Sequence, residues 1–301
     1  MSNDEIAMNL TIAAVDRWLE NSSATSGQEV GREIAAMYRE IFCVLEQISP
    51  DDDDDDDEDD DDEPAIRPPL AAKRTQASSS LKRTWGSTVH EVTEALRLPS
   101  PAPLPQSIAF DGEKLWMGSI ETNRLYAIDP RQWRVIEEGK APGKPWGMTV
   151  VGDELRVICG EGDDDDRIVR RFVPGHGFKS QYSFRCPDGT GSQLSYDGTW
   201  LYVSQWYNRR ILGLDDRGNV VREIGLPHQV CGQCYVDGAF YLVSTDDEET
   251  GEYFLTKVSA GGDTRSEDLA RIPFAARALA YDGARFWTNH REANQIVAFE
   301  R

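Results

Sequence analysis

Ser107-Ile-Ala-Phe-Asp-Gly-Glu-Lys-Leu-Trp-Met117 is a short apolar run, a tight turn, and a second run of large side chains. The chain repeats it. Gln193-Leu-Ser-Tyr-Asp-Gly-Thr-Trp-Leu-Tyr-Val203, Gln233-Cys-Tyr-Val-Asp-Gly-Ala-Phe-Tyr-Leu-Val243 and Ala278-Leu-Ala-Tyr-Asp-Gly-Ala-Arg-Phe-Trp-Thr288 carry the same phrase. Met148-Thr-Val-Val-Gly-Asp-Glu-Leu-Arg-Val-Ile158 is a fifth copy with its turn altered. Asp-Gly between two apolar or branched runs is a hairpin signal, because these residues tolerate the turn conformations that join antiparallel strands.

Working outward, Asn123, Asn208 and Asn294 each precede a third strand: Leu125 to Ile128, Ile211 to Leu214 and Ile296 to Phe299. Fourth strands follow at Val135 to Glu138 and Val220 to Ile224. Leu115, Leu155, Leu201, Phe240 and Phe286 occupy equivalent places, and four strands repeating about every 43 residues are the arithmetic of a propeller blade. Five copies give five blades. The chain ends too soon after Phe286 to supply the last blade's fourth strand. Val89-His-Glu-Val-Thr-Glu-Ala-Leu-Arg-Leu-Pro99, upstream of the first copy, matches Val220 to Pro227 and is placed to fill that gap, removing both exposed sheet edges. A long open sheet is the alternative arrangement. The expected fold is therefore mainly β: a five-bladed β-propeller over 85–301, closed by an N-terminal strand.

Two other regions precede it. Residues 1–48 read as a helical hairpin. Met8, Ile12, Val15 and Leu19 form one apolar seam, and Val30, Ile34, Met37, Ile41, Val44 and Ile48 form another. Ser2 with Glu5 and Ser26 with Glu29 fit capping boxes. Trp18, Tyr38, Phe42 and Leu45 widen the apolar face beyond what one partner helix covers, so self-association or docking to a partner is expected, with packing against the rest of the chain as the alternative. Residues 49–84 read as a disordered linker. Asp51 to Glu63 is unbroken acid, whose like charges repel with nothing apolar to bury, and a segment with Arg67, Lys73, Arg74, Lys82 and Arg83 follows. A solvated spacer is one reading of it; an acidic docking segment for a basic partner, or a polyanion mimic that competes with nucleic acid, is the other.

The whole chain has 301 residues, 32 Lys plus Arg against 53 Asp plus Glu, and five cysteines. No stretch is long and apolar enough for a membrane span, and the start lacks a signal peptide's basic and apolar regions. An odd, sparse cysteine count makes a poor disulfide framework. A cytoplasmic protein with reduced thiols is expected, with no membrane partner. The basic, aromatic-laced face of a nucleic-acid binder is missing, so no nucleic-acid partner is expected either.

Gly112 to Pro130 resembles the blades of the NHL, YncE-like and streptogramin lyase propellers, in which a strand ending in a small or polar residue is followed by Asn and a strand ending in Asp. The resemblance recurs at Leu201 to Asp215 and Phe286 to Glu300. It implies the fold and little about function, since this superfold carries lyases, lactonases, cyclases and plain binding modules. Streptogramin lyases are seven-bladed with a His and Glu pair in the central region, for which five blades and scattered histidines offer no equivalent. Plant-type glutaminyl cyclases are five-bladed, but their active-site phrases have no counterpart here.

Propeller loops leading into the innermost strands gather with those after the second strands at one mouth of the channel. That places Gln106, Trp146, Gln193, Gln233 and Arg277 beside Glu121, Glu161, Trp206, Asp246, His290 and Arg291. Amides, acids, arginines and two tryptophans in one ring suit a small polar or peptide ligand, with Trp146 and Trp206 as flat surfaces and Arg277 as a fork for a carboxylate. The opposing reading makes the tryptophans intersheet core and the arginines neutralisers of nearby acids. His228, Cys231 and Cys234 have metal-ligand spacing without an assured fourth ligand, and Cys234 falls on a core position. Asp163 to Asp166 lack the spacing of a calcium loop and read as a solvated tip. No nucleophile elbow, phosphate loop or zinc helix occurs, so no catalytic residue, metal or cofactor is assigned. The expected function is a non-enzymatic ligand- or protein-binding propeller tethered to a helical assembly module. The alternative is a lyase, lactonase or cyclase using Glu121, Glu161, Asp246 or His290 as acid or base.

Overall fold

The computed structural model describes residues 89–246, 252–260 and 265–300. The expected helical hairpin and linker lie outside the described residues. The rest is strand: β1 (Glu94–Pro99); β2 (Pro105–Phe110), β3 (Leu115–Ser119), β4 (Arg124–Asp129) and β5 (Arg134–Lys140); β6 (Lys144–Val151), β7 (Glu154–Glu161), β8 (Asp166–Val173) and β9 (Gly177–Arg185). Then come β10 (Leu194–Tyr196), β11 (Leu201–Gln205), β12 (Arg210–Leu214) and β13 (Val220–Gly225); β14 (Gln229–Val236), β15 (Ala239–Thr245), β16 (Tyr253–Ser259) and β17 (Ser266–Ile272); β18 (Ala276–Tyr281), β19 (Arg285–His290) and β20 (Gln295–Glu300). They form five antiparallel four-stranded sheets, β2 to β5, β6 to β9, β10 to β13, β14 to β17, and β18-β19-β20-β1, here blades I to V. The chain is a five-bladed β-propeller. Among the described residues no helix is long and apolar enough to cross a membrane.

Ring closure follows the sequence with one refinement. Leu96 pairs with Ala298 and Leu98 with Ile296, so β1 completes blade V. The stretch before it belongs elsewhere. Val92 donates its amide to the Arg271 carbonyl at 2.9 Å, and Arg271 donates to the His90 carbonyl at 2.8 Å. The closing segment thus engages the outer strand of blade IV before it seals blade V, and its first residues satisfy an edge that would otherwise stay open.

Apolar side chains fill the seams between neighbouring blades. Leu115 and Met117 of blade I pack with Trp287 and Ala298 of blade V, while Trp116 and Leu125 face Val157 and Phe172 of blade II. In blade I the second and third strands are buried almost throughout, whereas the outer strand β5 is largely exposed, because an outer strand lies farthest from the axis where the wedge between blades opens.

The Asp-Gly dyads have a structural purpose that the repeat alone does not state. Asp111 Oδ1 accepts the amides of Glu113 and Lys114 at 2.9 and 2.7 Å, and its Oδ2 accepts the Trp116 indole N–H at 2.7 Å. Asp197 does the same with Thr199, Trp200 and the Tyr202 hydroxyl, and Asp282 with Ala284, Arg285 and the Trp287 indole. One carboxylate therefore fixes the turn and orients a buried ring. Blades II and IV turn differently. Val151 pairs with Glu154 and Val236 with Ala239, leaving two-residue turns at Gly152-Asp153 and Asp237-Gly238. Positive φ at both Asp237 and Gly238 (49° and 80°) is the backbone such a hairpin requires. Asp237 is consequently not equivalent to Asp111. Register instead aligns Phe110, Val150, Tyr196, Tyr235 and Tyr281, which face Leu115, Leu155, Leu201, Phe240 and Phe286.

Candidate functional site at the two ends of the channel

The ring has two ends. At the first, the inner strands begin and the second strands finish, and here stand most of the residues singled out from the sequence. Gln106 is buried and accepts from Arg291 Nη1 at 2.9 Å, while Arg291 also reaches Glu292. Glu161 holds Arg170 through two bonds of 2.8 and 2.7 Å. Trp146 donates its indole N–H to Asp165 at 3.0 Å and carries the Arg167 guanidinium 3.9 Å above its ring. Gln193 is buried and donates to the Trp146 carbonyl. Arg277, only 5% exposed, donates to the Tyr253 hydroxyl at 2.9 Å and to the Ala276 carbonyl at 3.2 Å. These contacts join neighbouring elements of the ring.

Glu121 is exposed on a turn. Trp206 packs edge-on against Tyr207 and its ring joins the core cluster of blades IV and V. His290 stacks on Phe274 with ring centres 5.1 Å apart, and burial pushes its pKa down, favouring the neutral ring. Asp246 pairs with His228 Nδ1. The imidazole that meets a carboxylate is thus His228, and the cavity beside it has a volume of about 10 Å³, room for about one water. Of the acidic tip, Asp165 and Asp166 are bound to Arg167 and Arg185, so only Asp163 and Asp164 are the solvated residues expected.

Two glycines explain why this end is tight. A Cβ on Gly147 would lie 2.6 Å from Gln193 Cα, and one on Gly232 would lie 2.3 Å from the Ala278 carbonyl carbon. Inner strands of adjacent blades touch backbone to backbone there, which any side chain would prevent.

The second end is open. A cavity of about 410 Å³ lies where the inner strands finish, within the range of small-molecule pockets. Phe110, Val150, Tyr196, Tyr235 and Tyr281 form its outer layer, one residue per blade. Ile108, Met148, Leu194, Gln233 and Leu279 form the layer beneath, two positions earlier on each inner strand. Gln233 is the polar member of that layer. It is 2% exposed, and its Nε2 donates to the Tyr202 carbonyl at 2.9 Å and the Gln193 carbonyl at 3.3 Å. Its Oε1 is buried without a hydrogen-bond partner.

Of the residues chosen from the sequence, Gln233 therefore lines the cavity, and the others named above stand at the opposite end or on its turns. The aromatic layer was missed, although its signal was present: an aromatic residue directly precedes Asp111, Asp197 and Asp282. Cys231 is buried in the seam of blades IV and V, whereas Cys234 lines the cavity. No group of three or more His, Cys, Asp or Glu poised to hold a metal occurs among the described residues. Cys159 and Cys186 are buried thiols, and burial raises both pKa values, to about 12 for Cys186.

No family model matches the chain, and no curated protein matches it. Among solved structures it is similar to virginiamycin B lyase from Staphylococcus aureus, with 11% identity, a TM-score of 0.45, and coverage of 68% of this chain and 98% of that one. It is also similar to hydrazine synthase of Kuenenia stuttgartiensis, with 15% identity, a TM-score of 0.43 and 65% of this chain covered, and it spans 64% of that protein's chain. An aldose sugar dehydrogenase from Streptomyces coelicolor gives 11%, 0.42, and coverage of 70% and 98%. The five blades stand on strand pairing, independently of these likenesses.

Proposed function

We propose that this chain is a non-catalytic binding propeller, joined through its charged linker to a helical module that self-associates or docks. One observation carries the binding half. The groups capable of acid–base work are engaged with other side chains or dispersed on turns, while the ligand-sized cavity holds no carboxylate–imidazole pair. General acid–base catalysis requires such groups beside room for a substrate. His228 with Asp246 is the nearest approach to a catalytic pair and supports the second reading, an acid–base enzyme, but its adjoining space admits no more than a water. The heptad seams of residues 1–48 support the assembly half, which would raise weak affinities through effective concentration.

Incubating trace protein with a metabolite extract of its native host, followed by mass spectrometry, separates the readings. Binding predicts no species consumed beyond one equivalent, and one species carried through gel filtration by stoichiometric protein. Turnover that disappears in His228→Gln would replace this reading with the enzymatic one. For assembly, the full chain should run as a multiple of its mass and residues 85–301 as a monomer. Two monomers would remove self-association.

A further inference from the structure

The closing segment differs from the other outer strands in how it is held. β5, β9, β13 and β17 each follow their third strand through a turn, whereas β1 and β20 lie at opposite ends of the ring's sequence and meet by pairing alone. Burial adds little to that pairing. Of residues 90–99 only Val92 and Leu98 are half-buried and the rest are exposed, so β1 lacks the buried residue that β13 has in Ile224 and β17 in Ile272. Arg97 adds a bond of 2.7 Å to Gln295 and lies 4.7 Å from the centre of the Phe274 ring. Solvent-facing backbone bonds with few apolar contacts behind them are the mark of a segment that opens before the core does.

Where this segment joins the ring, two residues have strained backbone. Trp133, in the turn between β4 and β5, sits at φ 51°, and Leu104, in the link from β1 to β2, at φ 48°; large side chains rarely take this left-handed conformation. Their surroundings must hold them there. Trp133 reaches across to blade V, where its indole N–H donates to the Pro99 carbonyl at 2.9 Å and its ring stacks on Trp287 with centres 6.1 Å apart. It fastens the last residue of β1. Leu104 is held by Asn294, whose side-chain oxygen accepts the Leu104 amide at 2.8 Å while its carbonyl accepts the Ser100 amide at 2.8 Å. With Pro101 and Pro103 stiffening it, the 100–104 link is pinned as a pivot.

We propose that residues 90–99 are a releasable strap, which leaves blades IV and V as one unit about this pivot while the first three strands of every blade stay paired, and that Trp133 is its latch. Opening breaks the bonds of 90–92 to Arg271, the Glu91–Arg271 ion pair and the pairing with β20, and bares the outer edge of β20 as a docking edge for a strand. In chain order the strap is the first part of the ring after residues 1–88, so whatever draws on that region acts on the strap first. That use rests on the tether reading above, whereas the strap itself rests on the fold.

Native-state hydrogen exchange of the full chain in low urea is the test. Amides of 94–98, and those of 295–300 that face them, should exchange together at least about tenfold faster than the amides of β3 and β11, with a shallower urea dependence because opening exposes little surface. Exchange at the rate and urea dependence of β3 and β11 would mean that the strap leaves only when the whole ring unfolds, and would overturn the proposal. So would a gradient, fast at 94–95 and slow at 97–98, which is end fraying. Trp133→Phe keeps a ring for the stack and removes the N–H, and should speed strap exchange about fivefold while β11 keeps its rate. An unchanged strap, or an equal increase in β11, would remove the latch. The first comparison needs no variant, so it decides the strap even where Trp133→Phe does not fold.

Discussion

At one end of the channel polar side chains close on one another, and at the other the polar groups are confined to turns and leave room inside. Gln106 with Arg291 and Glu161 with Arg170 are rich in hydrogen bonds, but each group already has its partner. At the far end Asp111, Asp197 and Asp282 spend their oxygens on turn amides and on a ring donor, and the inner strands between those turns leave a cavity. An abundance of chemically able residues marks where the blades are fastened. Where they are scarce, a cavity of ligand size remains.

The strongest way to break that contrast is to disturb the tight end. Gly232→Ala drives a Cβ into the backbone of blade V and should cost about 3 kcal/mol, read as a lowered urea midpoint. A loss below about 0.5 kcal/mol, the level of a surface change, would mean that the inner strands do not touch there. At the open end, Asp282→Ala strands two amides and the Trp287 indole, and should cost about 2 kcal/mol. Asp153→Ala, in the two-residue turn of blade II, should cost far less, because Arg156, which pairs with Glu154, stands where blade V has Trp287. Equal costs would refute the clamp.

Acid stability sharpens the comparison further. Burial alone would raise the pKa of Asp282, but the Trp287 indole and the Arg285 and Ala284 amides outweigh it and hold the carboxyl below its ordinary value. For Glu154 the Arg171 guanidinium is the largest influence and outweighs burial, with the same direction. A carboxyl depressed in the folded state contributes stability that is complete above its unfolded pKa of about 4 and is lost as the pH falls through the lower folded value. Asp282→Asn should therefore flatten the acid limb of a stability–pH curve, and an unchanged slope would contradict the direction. The smallest effect is expected at Tyr207, 79% exposed beside Trp206 at the tight end. Tyr207→Ser should stay within about 0.5 kcal/mol by the same urea measurement.

Blade number, strand order and closure were legible in the sequence because period-two alternation and turn residues are local signals repeated five times. The closing strand was found by its likeness to Val220 to Pro227, although residues 93–100 bond to blade V and residues 90–92 to blade IV. The clamp was written as an aromatic donor five residues after the aspartate of three dyads. Aligning on the dyad hid the one-residue offset of blade IV, whose two-residue turn brings Tyr235 into the aromatic layer. Which end stays open was not legible. It depends on how five inner strands converge, and therefore on Gly147 and Gly232 meeting backbone from another blade far along the chain.

Hydrogen exchange of the full chain with and without the species it carries through gel filtration tests the contrast between the ends most directly. Added protection is predicted at 106–110, 148–151, 194–196, 233–237 and 279–281. Protection appearing instead at 120–123, 161–165, 206–209 and 290–294 would contradict the account.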